Sequence, residues 1–262
     1  MRAAERWAEA LAAWAIPDEI LAQAPVPPWV HPPAMFRLDD DAATMPATPS
    51  FRLASQVLRA GGTVLDVGCG GGRSSIPLGA NRVTHLTGVD EQSAMLEQFC
   101  TAARAAGIPV DTVQGRWPDV AADAPVADVV VCHHVAYNVA AIEPFVRALT
   151  EHARRRVVVE LPERHPTSPF NPLWQRLWGL ERPTEPTAAL FVAVVRETGV
   201  VPVVERWQRL PRRESGDRDA YIAFARTRLC LTPDRDAEVA AALDEVGPLE
   251  SLSMVTVAWN PR

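Results

Sequence analysis

The chain has 262 residues, of which 48% are apolar and 22% charged, and its formal net charge is −6. This balance is typical of a globular protein, and the length suits one large α/β domain with or without appendages. Four widely spaced cysteines with no C-x-x-C pair disfavour a metal site or a disulfide framework and favour a reducing cytoplasm. No apolar run approaches the roughly 18 residues of a membrane helix, and acidic residues near the N-terminus argue against a signal peptide. We therefore expect a soluble, cytoplasmic protein with no membrane partner.

The N-terminal region differs from the rest of the chain. An amphipathic segment at 3–15 predicts a helix, and the prolines of 25–33 predict an irregular strap, because proline fits neither a helix interior nor a central strand. Another helix is expected at 50–62, where two glycines provide the stop signal. We expect residues 1–49 to form a lid on a domain that spans 50–262.

From residue 63 onward, short β-branched runs alternate with segments of helical periodicity. Strands are predicted at 63–68, 83–90, 109–115, 127–132 and 156–161. Helices are predicted between them at 73–80, 93–107 and 141–155. Repeated β-α units of this length indicate a parallel sheet with helices on both faces.

Three consecutive arginines at 154–156 form the one basic cluster. The pattern places them at the end of the helix 141–155, where cations complement the helix dipole. An acidic chain without a long basic face is a poor candidate for binding a phosphate backbone. We expect no nucleic-acid partner.

The last hundred residues interrupt the alternation with two insertions. One, at 162–186, is rich in proline and tryptophan, and the other, at about 211–250, is charged and helical. A helix at 187–199 and strands at 200–210 and 252–259 complete the predicted fold. That fold is a doubly wound, mostly parallel seven-stranded sheet with an antiparallel last strand. Such excursions usually carry ligand specificity, and the second one is interpreted as a lid or a homodimer contact.

A glycine loop follows the first predicted strand in the segment GGTVLDVGCGGGRSS at 61–75. Because glycine lacks a Cβ, the backbone N–H groups of such a loop can approach a ligand closely. A dinucleotide loop needs G-x-G-x-x-G, and Arg73 stands where its third glycine would be. A P-loop needs a lysine, and the chain has none. The pattern that fits is D-x-G-x-G-x-G, formed by Asp66, Gly68, Gly70 and Gly72.

This pattern resembles motif I of the class I S-adenosylmethionine-dependent methyltransferases, in good detail over 50–161 and more loosely beyond. The resemblance implies a Rossmann-like fold that binds S-adenosylmethionine and releases S-adenosylhomocysteine. An acid beside the loop suits a ligand that carries a sulfonium and an ammonium but no phosphate. Asp90 ends the second strand, placed to accept hydrogen bonds from both ribose hydroxyls, although NAD enzymes share such an acid. The candidate cofactor-binding residues are Asp66, Gly68, Cys69, Gly70, Gly72, Arg73, Asp90, Glu91, Met95, Arg116, Trp117 and Cys132. The alternative is that the glycines form only a tight turn.

The third strand departs from the family pattern. Many family members place Gly-Asp there for the adenine amino group, whereas this chain has a Gly115-Arg116 pair. That contact must come from the backbone or from Asp119, or it is absent. Trp117 is interpreted either as an adenine neighbour or as simple packing. At the position of Cys132 the family contacts the methionine part through the backbone.

His133 and His134 follow the fourth strand at the sheet edge where α/β folds bind their ligands. Either is a candidate general base, which methyl transfer needs only if the acceptor is protonated; the alternative is packing and capping. The chain lacks the Asn/Asp-Pro-Pro-aromatic motif of nucleobase amino methylation, a Pro-Cys nucleophile and a set of metal carboxylates. A small-molecule acceptor and no metal are therefore expected.

Aromatic residues in the excursions could cover the acceptor. Trp174 and Trp178 lie four apart and share a helix face, which is more often core than a ligand surface. Glu160, at the end of the fifth strand, is either a substrate contact or a solvated strand end. The candidate acceptor-binding residues are Trp29, His31, Met35, Phe36, Glu160, His165, Phe170, Trp174 and Trp178.

The sequence thus favours transfer of a methyl group to a small molecule by in-line displacement. Three alternatives stay open. An NAD-dependent oxidoreductase is disfavoured by Arg73, and a protein or RNA methyltransferase lacks a basic surface signal. A non-catalytic S-adenosylmethionine-binding protein on the same fold would carry the same motif.

Overall fold

A computed structural model of the chain describes residues 1–29, 48–58, 61–209, 218–247 and 252–261. Its centre is a seven-stranded sheet in the order β3-β2-β1-β4-β5-β7-β6. The strands are β1 (Gly62–Val67), β2 (Val83–Asp90), β3 (Val110–Gln114), β4 (Ala127–His133), β5 (Ala153–Pro162), β6 (Val203–Arg209) and β7 (Leu252–Trp259).

The first five strands pair in parallel, and β7 lies antiparallel between β5 and β6. The predicted doubly wound, mostly parallel sheet of seven strands is confirmed. The strand order reverses between β1 and β4, and open α/β sheets bind ligands at such a point, outside the carboxyl ends of the strands.

Helices cover both faces of the sheet. The helices of the described residues are α1 (Ala3–Ala12), α2 (Asp18–Leu21), α3 (Pro49–Val57), α4 (Ser93–Ala105), α5 (Ile142–Glu151), α6 (Asn171–Trp178), α7 (Ala188–Glu197), α8 (Arg218–Arg228) and α9 (Asp236–Val246). Successive side chains of a strand point to opposite faces. In β1, Leu65 and Val67 accordingly pack with α1, α5 and α7, whereas Val64 packs with α3 and α4. Asp66 therefore points to the face covered by α3 and α4.

The described parts of the two insertions assemble with the N-terminal region. Helices α2, α6, α8 and α9, named here the helical cap, share an apolar cluster that includes Ile20, Trp174 and Ile222. Arg182 links this cap to the end of α1, because its guanidinium lies 5.5 Å from the Trp14 ring centroid and 5.1 Å from that of Trp174. Such cation-π contacts, in a partly buried place, hold the elements together.

Several predicted boundaries are wrong, and three of them bear on the site or on the charges assigned to it. The predicted helix at 73–80 is a single 3-10 turn at Ile76–Leu78, because two serine side chains bond inward and compete with helix formation. The predicted helix at 141–155 ends at Glu151, and the arginines of 154–156 lie in β5, where residue 156 pairs with β4, so they complement no helix dipole. The predicted strand at 200–210 begins only at Val203, directly after a proline.

Candidate cofactor and acceptor site

The glycine loop turns sharply after β1, and two of its glycines have no room for a side chain. Gly68 has φ +70, and a Cβ there would stand 2.3 Å from Cγ2 of Val135. Gly72 has φ +89, and a Cβ there would stand 2.3 Å from Cδ1 of Ile76. At both positions the backbone is left-handed and a neighbouring side chain approaches it closely. The loop geometry therefore requires glycine at these two positions of the pattern.

The acid of the motif lies beneath the loop. Asp66 is fully buried, and both of its oxygens accept hydrogen bonds from Ser74 at 3.1 Å, while Ser75 donates at 2.6 Å. The described contacts of Asp66 are thus with the loop's own serines, which tie the loop to β1. The sequence interpretation missed both serines, although they directly follow Arg73 and lie close to the motif in sequence.

The buried Asp66 gives the fold a specific pH dependence. Burial raises the pKa of Asp66 from 3.8 to about 7, against the lowering effect of Ser75 and Ser74. Because the folded state holds this proton more tightly than the unfolded state, the stabilisation is complete below about pH 4 and is lost as the pH rises to about 7. The shift corresponds to roughly 4 kcal/mol of folding free energy.

We expect Asp66→Asn to remove this dependence. The free energy of unfolding of the wild-type chain should fall relative to that of the variant between pH 4 and pH 7, and the difference should stay constant above that range. Denaturant titrations at pH 4, 5, 6, 7 and 8 measure the effect. Parallel pH profiles for the two proteins would contradict a raised pKa at Asp66.

Asp90 meets the loop from β2. Its Oδ2 accepts from the backbone N–H of Gly70 at 3.0 Å, and its Oδ1 accepts from that of Gln92 at 3.0 Å. Each carboxylate oxygen has two lone pairs, so both keep an acceptor site for a further donor. The side chain is partly exposed, and it can therefore accept from a ribose diol while it fixes the loop.

The other residues predicted to contact the cofactor fall into two groups. Glu91 pairs with Arg116 at 3.0 Å on the surface, next to Asp90 in sequence, and Met95 is buried at the start of α4. Trp117 instead packs in the core, edge to face with His152 at 4.9 Å between ring centroids. His152 adjoins the first residue of β4, at the edge opposite the carboxyl ends, and the Trp117 ring packs against it on that side of the core.

Both cysteines of the site are buried, and burial raises the pKa of each thiol well above its usual value. Such thiols are not reactive nucleophiles. Any contact that Cys69 or Cys132 makes with a ligand therefore involves the backbone. Arg73 lies in the turn after the loop.

Two histidines and a glutamate meet where β4 and β5 end. His133 pairs with Glu160 in the parallel register, and its Nδ1 lies 3.9 Å from Oε2 of that carboxylate. The Nε2 atom of His134 lies 3.4 Å from Oε1. Glu160 also accepts a hydrogen bond of 2.6 Å from the hydroxyl of Ser50. The structure thus brings together three residues that the sequence singled out, and it adds Ser50.

The charges of this group are set by its surroundings. Burial alone would raise the pKa of Glu160, but the adjacent histidine rings and the Ser50 hydroxyl lower it well below its usual value, so the carboxylate is ionised at neutral pH. Burial lowers the pKa of His133, which outweighs the pull of Glu160 and keeps the ring neutral. No described residue bonds to Nε2 of His133.

His134 has an unusual backbone conformation, with φ +63. Its N–H donates to the carbonyl oxygen of Glu160 at 2.8 Å, which stabilises this left-handed turn. Non-glycine residues in that region are uncommon and cluster at functional sites. The turn leaves the His134 side chain 40% exposed, so the ring is accessible to an acceptor, whereas His133 is covered.

The predicted acceptor-binding aromatics are placed mainly in packing positions. His165 stacks on Trp14 at 4.0 Å between ring centroids, and burial together with Arg182 lowers the pKa of its imidazole to about 4. Trp174 is buried in the helical cap, as is Phe170, and Trp178 donates to the carbonyl oxygen of Leu229 in the same layer. Trp29 is exposed. The remaining predicted residues, His31, Met35 and Phe36, lie outside the described residues.

Within the ranges that the structure describes, no cluster of His, Cys, Asp or Glu could hold a metal ion. The same ranges contain no helix with the length and apolarity needed to cross a membrane.

Known proteins resemble the part of the chain that carries this site. Residues 64–156 match the family model described as a methyltransferase domain. This part of the chain is thus similar to methyltransferase domains. The matched segment runs from β1 into β5 and therefore includes the glycine loop, Asp90 and both histidines of the site. Methyltransferases of that family use S-adenosylmethionine.

Individual proteins are similar to part of this chain in sequence or to most of it in fold. A ubiquinone biosynthesis O-methyltransferase from Rickettsia felis is 32% identical over 91 residues, which is 35% of this chain and 36% of that protein. The alignment thus spans little more than a third of the curated relative. The YcgJ protein from Bacillus subtilis superposes with a TM-score of 0.56 and 17% identity, over 81% of this chain and 98% of that one. A methyltransferase from Thiobacillus denitrificans, solved with S-adenosylhomocysteine, gives a TM-score of 0.51 and 18% identity over 86% and 100% of the two chains. At these identities the two structures establish the fold alone.

Proposed function

We propose that this chain transfers a methyl group from S-adenosylmethionine to a hydroxyl group of a small organic acceptor, with His134 as the general base. The observation that carries the proposal is the accessible His134 ring beside the ionised Glu160. This pair stands at the carboxyl end of β4, the strand that adjoins the glycine-loop strand β1. The base and the proposed cofactor loop therefore share one edge of the sheet.

The loop and its neighbours fit the cofactor chemically. Glycine at positions 68 and 72 lets the loop turn tightly against Val135 and Ile76, and Asp90 retains two acceptor sites for a ribose diol. The loop adjoins the partly exposed Asp90 carboxylate, which suits a cationic ligand and repels a pyrophosphate. The residues proposed to hold S-adenosylmethionine are Gly68, Cys69, Gly70, Gly72, Asp90, Glu91 and Met95, with Cys132 through its backbone.

The proposed reaction is a displacement with a proton transfer. Bound S-adenosylmethionine supplies a methyl group on a sulfonium, which an oxygen nucleophile attacks in line. A carbon–oxygen bond forms, the methyl–sulfur bond breaks, and the electron pair of that bond stays on the sulfur of the neutral thioether product. The acceptor's O–H bond breaks, and its proton passes to His134 and then to water. The protein aligns the reactants and removes the proton.

Glu160 supports this step in two ways. Its negative charge stabilises the imidazolium that forms when His134 accepts the proton, over a contact of 3.4 Å. Its carboxylate also faces Nε2, which keeps the ring proton on that atom and leaves the lone pair on Nδ1. The relatives that are named O-methyltransferases support an oxygen acceptor. An acceptor hydroxyl must lose its proton during the reaction, which gives the base its role.

The test is transfer of an isotopically labelled methyl group from S-adenosylmethionine to a panel of small phenols, alcohols and amines. We expect label in a phenolic or alcoholic product, with one S-adenosylhomocysteine formed for each methyl group transferred. Cofactor binding without transfer to any acceptor would instead favour a non-catalytic binding protein. Stabilisation by NADH but not by S-adenosylhomocysteine would favour an oxidoreductase.

A further inference from the structure

A series of hydrogen bonds connects Glu160 to residues of α3, β7 and β6. The indole N–H of Trp207 in β6 donates to Oγ1 of Thr256 in β7 at 3.1 Å. That oxygen lies 2.7 Å from Oγ of Ser50 in α3. The Ser50 hydroxyl in turn donates to Oε2 of Glu160 at 2.6 Å. Neither the glycine loop nor the histidine pair contains Trp207, Thr256 or Ser50.

The donor of each hydrogen bond in this series follows from the number of protons that each group can donate. Ser50 has one hydroxyl proton, which it gives to Glu160, so its oxygen must accept from Thr256. The Thr256 oxygen, having given its proton to Ser50, accepts the proton of Trp207, and an indole can only donate. All three donors therefore point toward the Glu160 carboxylate, and hydrogen bonds in such a series strengthen one another.

The sheet and helix α3 create this arrangement together. Glu160 and Thr256 lie directly opposite each other in the antiparallel pairing of β5 and β7, and so share a face. Ser50 enters that face from the first turn of α3, and it is 1% exposed, while Thr256 is fully buried. Burial of a hydroxyl without a hydrogen-bond partner costs folding free energy. Here the Thr256 hydroxyl donates to Ser50, and the Ser50 hydroxyl donates to Glu160.

We infer that Ser50, Thr256 and Trp207 are positioning residues for the proton-accepting histidine. They fix Glu160 through Oε2, which aims Oε1 at Nε2 of His134. The carboxylate then holds the ring proton on Nε2, and the Nδ1 lone pair is free for the acceptor proton. This inference rests on the proposed function, and it assigns a role to residues that contact neither cofactor nor acceptor.

The first test reads the histidine directly and needs no acceptor. Long-range ¹H–¹⁵N NMR spectra distinguish the two neutral tautomers, and the signals of His134 among the six histidines are identified by their loss in His134→Asn. We expect the Nε2–H tautomer in the wild-type chain. Ser50→Ala and Thr256→Val should populate both tautomers, as should Trp207→Phe, which removes the N–H donor and keeps an aromatic ring. A wild-type His134 protonated on Nδ1, or tautomers unaltered in all three variants, would overturn the inference.

A matched control separates positioning from general damage to α3. Ser55 lies on the same helix, and its hydroxyl bonds to no described residue. Ser55→Ala makes the same chemical change without touching Glu160, so it should leave the His134 tautomer as in the wild type. Ser50→Thr keeps the hydroxyl and should restore the wild-type spectrum.

The second test uses turnover once an acceptor is known. Ser50→Ala should lower kcat by about 10- to 100-fold, with KM and S-adenosylhomocysteine affinity unchanged, and it should have no further effect in a Glu160→Gln background. A loss of kcat that adds in full to that of Glu160→Gln would overturn the inference. If the wild-type protein transfers no methyl group but shows the expected tautomers, the proposed function is refuted. The positioning of His134 by Ser50, Thr256 and Trp207 would then still stand.

Discussion

Replacing Gly68 with alanine is expected to destabilise the fold by about 3 kcal/mol and to abolish tight binding of S-adenosylhomocysteine. The left-handed conformation costs alanine about 1–2 kcal/mol, and the new Cβ would stand 2.3 Å from Val135. Relief of that overlap costs a further 1–3 kcal/mol, roughly, in a packed region. The loop must then move away from Val135, and its backbone N–H groups move with it. Denaturant unfolding and calorimetric titration with S-adenosylhomocysteine measure the two effects.

Gly107 supplies a matched control for this experiment. Its φ of +72 is close to the +70 of Gly68, but a Cβ there would meet nothing within 4 Å. Gly107→Ala should therefore show the conformational cost alone, about 1–2 kcal/mol, with unchanged ligand affinity. If Gly68→Ala were as stable as Gly107→Ala and bound the ligand as the wild type does, the close approach of the loop to Val135 would have no functional meaning.

Replacing His134 with asparagine is expected to lower kcat by about 10²- to 10⁴-fold, the usual contribution of a general base. Asparagine tolerates the left-handed backbone of this position, so the turn is retained while the proton acceptor is lost. Binding of S-adenosylhomocysteine should not change, because the glycine loop and Asp90 are untouched. Steady-state kinetics with the best acceptor of the labelled panel, together with calorimetry, separate the two effects.

His85 is the control for the histidine change. It lies in β2 on the protein surface and pairs with Asp111 at 2.9 Å, so His85→Asn should leave kcat unchanged. A His134→Asn variant with the wild-type rate would contradict the assignment of the base. If His133→Gln lost the activity in its place, the proton acceptor would be the covered histidine of the pair.

Local sequence patterns were sufficient for most of the strands and for the position of the glycine loop after β1. The register of Asp66 against Gly68, Gly70 and Gly72 is contained in seven consecutive residues, and Asp90 ends the next strand. Short-range features of this kind depend on backbone geometry that each residue type dictates by itself.

The features that sequence patterns missed depend on contacts between distant residues. Ser50 lies 110 residues from Glu160 and 206 residues from Thr256, and no local period connects them. The segment 73–80 has a helical pattern, but Ser74 and Ser75 bond to the buried Asp66 instead of facing solvent. Tertiary hydrogen bonds of this kind override local propensity.

Titration of the wild-type chain with S-adenosylhomocysteine, compared with NADH under the same conditions, tests the assignment of the glycine loop most directly. We predict saturable binding of one S-adenosylhomocysteine per chain and no heat from NADH. Binding of NADH with no response to S-adenosylhomocysteine would contradict the methyltransferase assignment of this site.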